Sequence, residues 1–375
     1  MVSVSTLADL QTQNLLVLGL SFLLALLVGV LLHRSHFCTM GALSDVFLMG
    51  DVTRLRQWAL AVAVAMAGFG LMTWAGLISP LNTIYASTRL NVLTLALGGI
   101  LFGAGMVLAS GCVTKSLTRL GAGNLKSLVV LLALGVSALA TLRGLPAVWR
   151  VQYLDTLSLP LSEGAFMGQW VMHWSGWSFN MACGLTALVV SLALAGWVLK
   201  DPSFRKMHDL LPGVGIGMTV LSLWFVSGVW GFVPEHPETL EAVFLATASG
   251  RMESMSLTAP VAMWLDAWMY FSDGSKRMTL GMTFVPGLLL GSWLSARREG
   301  SFRWEGFSQT SDLVLHLLGG TLMGVGGVMA MGCTFGQGLS GLSTLSWGSM
   351  LAFCGIVIGA WLALQWQMRR AEAKS

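Results

Sequence analysis

The stretch from Gly98 to Asn124, GGILFGAGMVLASGCVTKSLTRLGAGN, decides the fold of this chain. It begins as an apolar run dotted with glycines and reaches a break at Ser110-Gly111-Cys112. Lys115 and Arg119 then enter a segment that is otherwise rich in small residues. An apolar helix that stops inside a membrane leaves backbone groups unpaired, which is tolerated only where they are buried in protein or line a cavity.

A second copy of this pattern, GGTLMGVGGVMAMGCTFGQGLSG, begins at Gly319. With one offset (319 − 98 = 221), nine of the fifteen positions from 98 to 112 are identical without a gap. In the second copy the identical residues are Gly319, Gly320, Leu322, Gly324, Gly326, Val328, Ala330, Gly332 and Cys333. The Gly-Cys pair at the break is therefore present twice, as Gly111-Cys112 and Gly332-Cys333.

The composition is typical of an integral membrane protein. Of the 375 residues, 55% are hydrophobic and only 10% are charged, and the mean hydropathy is +0.74. Soluble domains carry about 25% charged residues. The net charge of +4 lies mostly in loops, where it indicates orientation and no nucleic-acid partner. The five cysteines cannot all pair, and paired CxxC motifs are absent, so neither a disulfide framework nor that class of metal site is expected.

Nine apolar runs approach the length of about 20 residues that spans a bilayer. The predicted spans are 15–32, 57–79, 92–110, 125–142, 177–199, 213–233, 278–295, 313–331 and 347–367. With the N-terminus outside, most of the basic clusters fall in the cytoplasm, as the positive-inside rule requires. The C-terminus, preceded by Arg369 and Arg370, is then cytoplasmic.

In this arrangement the two glycine-rich copies are the third and eighth spans, so they enter the membrane from opposite sides. That predicts an all-α fold of about nine transmembrane helices plus short re-entrant or half helices, built as an inverted repeat. We expect a first membrane repeat over 1–142, an external or interfacial segment over 143–176, and a second membrane part over 177–375. Segments 33–50 and 251–271 resemble partial elements. Symmetry allows the second to be the counterpart of the first, but its lack of a cysteine argues against this correspondence.

Three cysteines are candidates for a functional role. Cys38, Cys112 and Cys333 each lie beside a glycine or in a polar break, where backbone and solute can approach closely. Cys183 and Cys354 lie in continuous apolar helices, and we interpret them as small buried hydrophobic residues. A short helix restarting after each break directs N–H groups and a positive dipole end toward the break, which favours an anion.

The other polar residues can be explained without a functional role as well as with one. His33 and His36 with Cys38 offer no fourth ligand at zinc spacing, so we predict no metal site and no cofactor. Lys115 and Arg119 are either cytoplasmic charges of the positive-inside kind or groups that draw an anion to the break. The phosphate-binding GxxxxGK[ST] motif is absent, so the chain is not itself an ATPase, and no Ser/His/Asp arrangement is legible.

Three motifs resemble those of the YeeE/YedE family. Residues 33–51, HRSHFCTMGALSDVFLMGD, resemble its N-terminal motif, in which an arginine (here Arg34) and Phe-Cys precede a glycine and an Asp-aromatic pair. Residues 103–112, GAGMVLASGC, and 324–333, GVGGVMAMGC, resemble its two glycine-rich motifs that end in cysteine. The resemblance covers the whole chain in order and spacing. Ser110 and Met331 depart from it, because they stand where the family has glycine.

The resemblance implies a transporter and no enzyme. The YeeE branch takes up thiosulfate, and YedE relatives are linked to selenium metabolism. Cys38, Cys112 and Cys333 would take the places of the family's pathway cysteines, whose thiols pass thiosulfate inward through S–H···S hydrogen bonds. A TusA-like sulfur carrier in the cytoplasm is the implied partner. A neutral thiol is a weak donor, and weak repeated sites suit conduction.

We therefore predict a bacterial inner-membrane importer of thiosulfate or a related inorganic sulfur anion, with Lys115 or Arg34 meeting the charge of the dianion. One alternative is a soft-metal or selenium-compound transporter that uses the same thiols. Another is a membrane sulfurtransferase in which a cysteine becomes a persulfide. A structural membrane scaffold is the least specific alternative, and the broken repeat argues against it.

Overall fold

The computed structural model describes residues 7–237, 240–273 and 277–372. Within these residues the chain is almost entirely helical, with four two-residue strands in two antiparallel pairs. The α-helices are α1 (Leu7–Ser35), α2 (Thr39–Ser44), α3 (Thr53–Trp74), α4 (Val92–Leu108), α5 (Val113–Gly121), α6 (Leu125–Arg143), α7 (Leu145–Trp149), α8 (Met167–Ser175), α9 (Phe179–Leu199), α10 (Met207–Phe225), α11 (Thr258–Met269), α12 (Leu280–Arg298), α13 (Thr310–Met329) and α14 (Trp347–Glu372). The strands are β1 (Arg89–Leu90), β2 (Leu159–Pro160), β3 (Phe232–Val233) and β4 (Val243–Phe244).

Eight helical stretches in the described part of the chain are long and apolar enough to cross a membrane. They are Ala8–Met49, Thr53–Trp74, Val92–Gly121, Leu125–Arg143, Phe179–Leu199, Met207–Trp230, Thr310–Met329 and Trp347–Arg370. The sequence predicted about nine, and the difference is the run 278–295. That run forms α12, which contains Pro286 and ends in two arginines. Because α12 packs against α1, α5 and α11, it needs less apolar surface than a helix facing lipid.

The two glycine-rich copies form α4 and α13, which cross in antiparallel orientation at the centre of the bundle. A Cβ added to Gly98 would lie 2.5 Å from the backbone nitrogen of Ala330, and one added to Gly319 would lie 2.6 Å from that of Ala109. The offset of 221 exchanges these two contacts, since it carries Gly98 to Gly319 and Ala109 to Ala330. Side chains larger than hydrogen do not fit at such distances, and the glycines therefore let the two backbones approach.

Helices flank this central pair in matching arrangements. Helix α14 packs along α4, and α6 packs along α13, each in parallel orientation. Helix α12 lies parallel to α1, with the Ser21 hydroxyl donating to the Leu280 carbonyl at one end (2.9 Å) and Arg34 paired with Glu299 at the other (3.0 Å). Helix α3 packs against α9 and α10. The bundle thus encloses the breaks that follow α1, α4 and α13.

Each of these three helices ends in the same way. The residues His36, Ser110 and Met331 have φ angles of 52°, 56° and 56°, the left-handed region that only glycine adopts without strain. Each stands two positions before one of the cysteines Cys38, Cys112 and Cys333. A left-handed residue just past the last turn closes a helix and turns the chain sharply. The three cysteines are therefore presented by three similar turns.

Both predicted partial elements form short helices. Residues in 33–50 form α2, which continues as a π-helical turn over Asp45–Met49. Residues in 251–271 form α11, twelve residues long. Over 143–176 the chain carries α7, α8 and β2, and it crosses the start of α14, where Phe166 bridges to Ser346.

Candidate functional site

The thiols of Cys38 and Cys112 face each other, which joins the first break to the second. Both residues occupy the N-cap position of a short helix, Cys38 before α2 and Cys112 before α5. At Cys38 the Gly41 N–H donates to the sulfur at 3.5 Å. At Cys112 the Lys115 N–H faces the sulfur without closing a cap of normal geometry.

The third break packs against the other two. The Gly336 N–H donates to the Cys333 sulfur at 3.4 Å, which repeats the relation between Gly41 and Cys38. The rings of Phe37 and Phe335 meet edge to face, with their centroids 6.0 Å apart. The Thr334 hydroxyl faces the Cys112 sulfur. The structure therefore brings the three breaks together, although they are far apart in the chain.

All three cysteines at the breaks are enclosed by protein. Cys112 and Cys333 are fully buried, and Cys38 is 8% exposed. Cys183 is also buried, but it lies on α9 against Gly168 of α8. Cys354 is exposed on the surface of α14, so the prediction that it is buried within protein is wrong. Its side chain points outward from the bundle, toward the space that lipid occupies, and hydropathy cannot distinguish lipid from core.

Basic groups lie beside the paired thiols. Lys115 is the nearest, since its charge acts on both Cys38 and Cys112, and its stem covers Gly111, where a Cβ would lie 3.2 Å from it. Arg119 donates to the Ser110 carbonyl at 2.9 Å and so stabilises the turn before Cys112. Arg54 contacts Gly41 and pairs with Asp45 at 3.4 Å. Gly332, the counterpart of Gly111, lies instead against Gln337.

Arg34 and His33 are engaged elsewhere. The Arg34 guanidinium is half-exposed and pairs with Glu299 at 3.0 Å. The His33 ring lies 3.1 Å from the Ser295 hydroxyl and 3.4 Å from Glu299. Among the described residues, no group of three or more His, Cys, Asp or Glu side chains is arranged to hold a metal ion.

A cavity lies beside the third break. It has a volume of about 230 Å³, and its lining includes Tyr85, Arg89, Met331 and Gln337. The Tyr85 hydroxyl donates to the Gly336 carbonyl at 2.5 Å, and burial raises the pKa of this hydroxyl above its usual range. The Gln337 amide donates to the Ala330 carbonyl at 2.6 Å. Tyr85 and Gln337 thus hold both ends of the turn that presents Cys333.

Sequence reasoning missed several residues of this region. Tyr85 lies in a loop with no motif, and nothing in the sequence places it beside Gly336. Arg54 is one of several basic residues in loops, and no motif distinguishes it. Thr39 and Thr334 carried a signal that could have been used, since each directly follows a candidate cysteine.

These features define a multi-pass membrane protein whose broken helices present buried thiols at its centre. The profile of the sulphur transport family matches residues 34–362, and the chain belongs to this family, as the resemblance of its motifs to YeeE/YedE proteins predicted. This family consists of transporters and not of enzymes.

Two relatives match nearly the whole chain. The thiosulfate transporter TsuA of Escherichia coli (strain K12) is 25% identical over 359 residues, which cover 90% of this chain and 91% of that protein. The thiosulfate transporter TsuA of Spirochaeta thermophila is 27% identical over 341 residues, which cover 90% of this chain and 96% of that protein. The probable transporter YedE of Escherichia coli is 29% identical over 112 residues, 30% of this chain and 26% of that protein.

Proposed function

We propose that this protein imports thiosulfate, or a closely related inorganic sulfur anion, across the bacterial inner membrane. In this proposal the solute passes along the thiols of Cys38, Cys112 and Cys333. The observation that carries the proposal is the contact between Cys38 and Cys112, with Thr334 of the third break beside them. The names of the two TsuA relatives support thiosulfate as the solute.

The chemistry of the solute suits this arrangement. Thiosulfate is a dianion whose terminal sulfur is soft and weakly hydrated. A neutral thiol is a weak hydrogen-bond donor, so it holds this sulfur without trapping it, and neighbouring weak sites let the solute move on. The charge of the dianion would be met by Lys115 and by the N–H groups that face the breaks. Arg34, which is paired with Glu299, would act at the rim.

The proposal includes the symmetry of the fold. We infer an inverted repeat in which α4 and α13 are counterparts, as are α6 and α14. The reciprocal contacts of Gly98 with Ala330 and of Gly319 with Ala109 support it. In such folds the solute site lies between the repeats, where discontinuous helices meet.

The orientation follows from the charges at one end of the bundle. The ion pair Arg34–Glu299 joins the ends of α1 and α12, and the Arg303 N–H, which follows α12, donates to the Ala122 carbonyl just before α6, so these ends lie on one face. The ion pair Lys126–Asp312 lies on the same face. Because basic residues concentrate on the cytoplasmic side, we infer that this face and the C-terminus are cytoplasmic. A TusA-like sulfur carrier would receive the solute there.

The test is uptake of radiolabelled thiosulfate by cells that lack their own thiosulfate importers. Cells expressing the unaltered chain should accumulate label, and Cys38→Ala, Cys112→Ala and Cys333→Ala should abolish accumulation at equal expression. Cys183→Ala and Cys354→Ala are matched controls, because these thiols lie away from the breaks, and both should retain uptake. Uptake that survives all three substitutions at the breaks would contradict the thiol pathway while leaving a transporter. No uptake by the unaltered chain would contradict thiosulfate as the solute.

A further inference from the structure

Four buried threonine hydroxyls have no hydrogen-bond partner among the residues that the structure describes. They belong to Thr39, Thr114, Thr258 and Thr334, and none of these residues is more than 2% exposed. An unpartnered hydroxyl in a buried site costs free energy. The Ser349 hydroxyl is also unpartnered, but four threonine hydroxyls in one protein need a physical reason of their own.

The other buried threonines in the described part of the chain are all satisfied. Most donate to a carbonyl three or four residues earlier in their own helix or turn, as the Thr219 hydroxyl does to the Gly215 carbonyl at 2.9 Å. Thr94 instead donates to Asp155, and Thr279 caps the start of α12. The satisfied residues are Thr73, Thr83, Thr94, Thr118, Thr141, Thr219, Thr279 and Thr344.

Three of the four unpartnered hydroxyls lie one or two residues after the cysteine of a break, and the fourth lies at the start of α11. Thr39 directly follows Cys38, and Thr334 directly follows Cys333. Thr114 stands two residues after Cys112, and Thr258 is the first residue of α11. At the start of a helix no carbonyl four residues earlier belongs to the same helix, so these hydroxyls stay free to bind something else.

Two of the four have neighbours that place them along the thiols. The Thr334 hydroxyl faces the Cys112 sulfur. The Thr258 oxygen would lie 2.9 Å from a Cβ at Gly327, and the Gly327 carbonyl accepts from the Gly332 N–H at 2.8 Å in the turn before Cys333. The Thr334 hydroxyl and the Cys112 thiol therefore lie side by side, and Thr258 packs against the glycine whose carbonyl holds the turn before Cys333.

We propose that these four hydroxyls bind the oxygen atoms of the transported anion while the neighbouring thiols hold its terminal sulfur. The inference rests on the proposed function and gives each end of the solute its own partner. The oxygens of thiosulfate carry most of its negative charge and require donors stronger than a thiol. A hydroxyl donates readily, and with no partner in the protein it does not have to break a bond before it does so.

The proposal also gives α11 a role. The segment 251–271 is the counterpart that symmetry allows for 33–50, but it has no cysteine. Thr258 begins α11 as Thr39 begins α2. The start of α11 would thus offer a hydroxyl without an adjacent thiol, whereas the start of α2 offers both Thr39 and Cys38.

The experiment compares Thr334→Val and Thr334→Ser with the control Thr219→Val, using uptake of radiolabelled thiosulfate and thermal unfolding of the purified protein in detergent. Valine keeps the shape and removes the hydroxyl. We expect Thr334→Val to lower the initial uptake rate about tenfold or more, because a hydrogen bond to a charged group is lost. Thr334→Ser should retain uptake. Since Thr334→Val removes an unpartnered hydroxyl, it should melt no lower than the unaltered protein. Thr219→Val should leave uptake unchanged.

The variants Thr39→Val, Thr114→Val and Thr258→Val extend the test to the other three hydroxyls. Unchanged uptake in all four valine variants would overturn the inference and leave the proposed function standing. A loss of uptake in Thr334→Val that is accompanied by a lower melting temperature and persists in Thr334→Ser would also overturn it, because the side chain would then be structural. No thiosulfate uptake by the unaltered chain would overturn the proposed function and this inference with it.

Discussion

The thiols of Cys38 and Cys112 face each other, although the two residues are 112 − 38 = 74 positions apart in the chain. Each residue occupies the N-cap position of a short helix that begins at a break. The contact between the two thiols combines their two motifs into a single site. The oxidation of the two thiols depends on this contact, and the turns that precede the thiols contribute to the stability of the protein.

Mild oxidation should cross-link Cys38 to Cys112. Thiols that face each other need little movement to reach the S–S bond length of about 2 Å. Treatment with copper phenanthroline should remove both alkylation sites together, as read by mass spectrometry, and should stop thiosulfate uptake until a reductant is added. In Cys38→Ala the remaining Cys112 should stay open to alkylation. If oxidation removed the alkylation site at Cys333 in place of the one at Cys38, this pairing would be contradicted.

Gly319→Ala should destabilise the protein. The added methyl group would lie 2.6 Å from the Ala109 nitrogen, and α4 and α13 would have to separate at a cost of about 1–3 kcal/mol in the free energy of unfolding. Thermal unfolding in detergent measures it. Gly196→Ala on α9 is the control, because no atom lies within 4 Å of its added Cβ. An equal melting temperature for both variants would contradict the close approach of the two helices.

Met331→Gly should stabilise the protein. Met331 has a φ of 56°, and an L-residue in this region costs about 1–2 kcal/mol that glycine avoids. Ser110→Gly should act in the same direction for the same reason. Ala104→Gly, in the interior of α4, should instead destabilise by about 1 kcal/mol. The comparison uses melting temperatures in one detergent, and a lower melting temperature for Met331→Gly would contradict the expectation.

Asp51 should make stability depend on pH in the acidic range. Its carboxylate accepts from the Thr53 N–H at 2.9 Å and from the Thr53 hydroxyl at 2.7 Å, and these hydrogen bonds lower its pKa. A carboxyl whose pKa is lowered by folding contributes stability above its unfolded pKa of about 3.9, and this contribution is lost as the pH falls through the folded value.

The variant Asp51→Asn tests this linkage. At pH 7 it should melt below the unaltered protein, and the difference should shrink as the pH falls below about 3.9, where the carboxyl becomes protonated. Glu235→Gln is a matched control, because Glu235 is exposed in a loop, and this substitution should leave the pH dependence of the melting temperature unchanged. A difference between Asp51→Asn and the unaltered protein that stays constant with pH would contradict the role of the charge.

The amino-acid sequence by itself determined the class of protein, the helices and the positions of the breaks. Hydropathy and glycine spacing are local properties, and they placed the breaks at Gly111 and Gly332 and the partial elements at 33–50 and 251–271. The repeat with its offset of 221 was visible because it is written in residue identities. The family resemblance then named the three cysteines.

Only the tertiary structure decided which of these parts meet. The contact of Cys38 with Cys112, the pairing of Arg34 with Glu299 and the outward orientation of Cys354 depend on how distant helices pack. The unpartnered state of Thr39 and Thr334 also follows from their surroundings, because a hydroxyl is free only when every neighbouring acceptor is absent or already engaged. Such relations join residues far apart in the chain, and no local pattern encodes them.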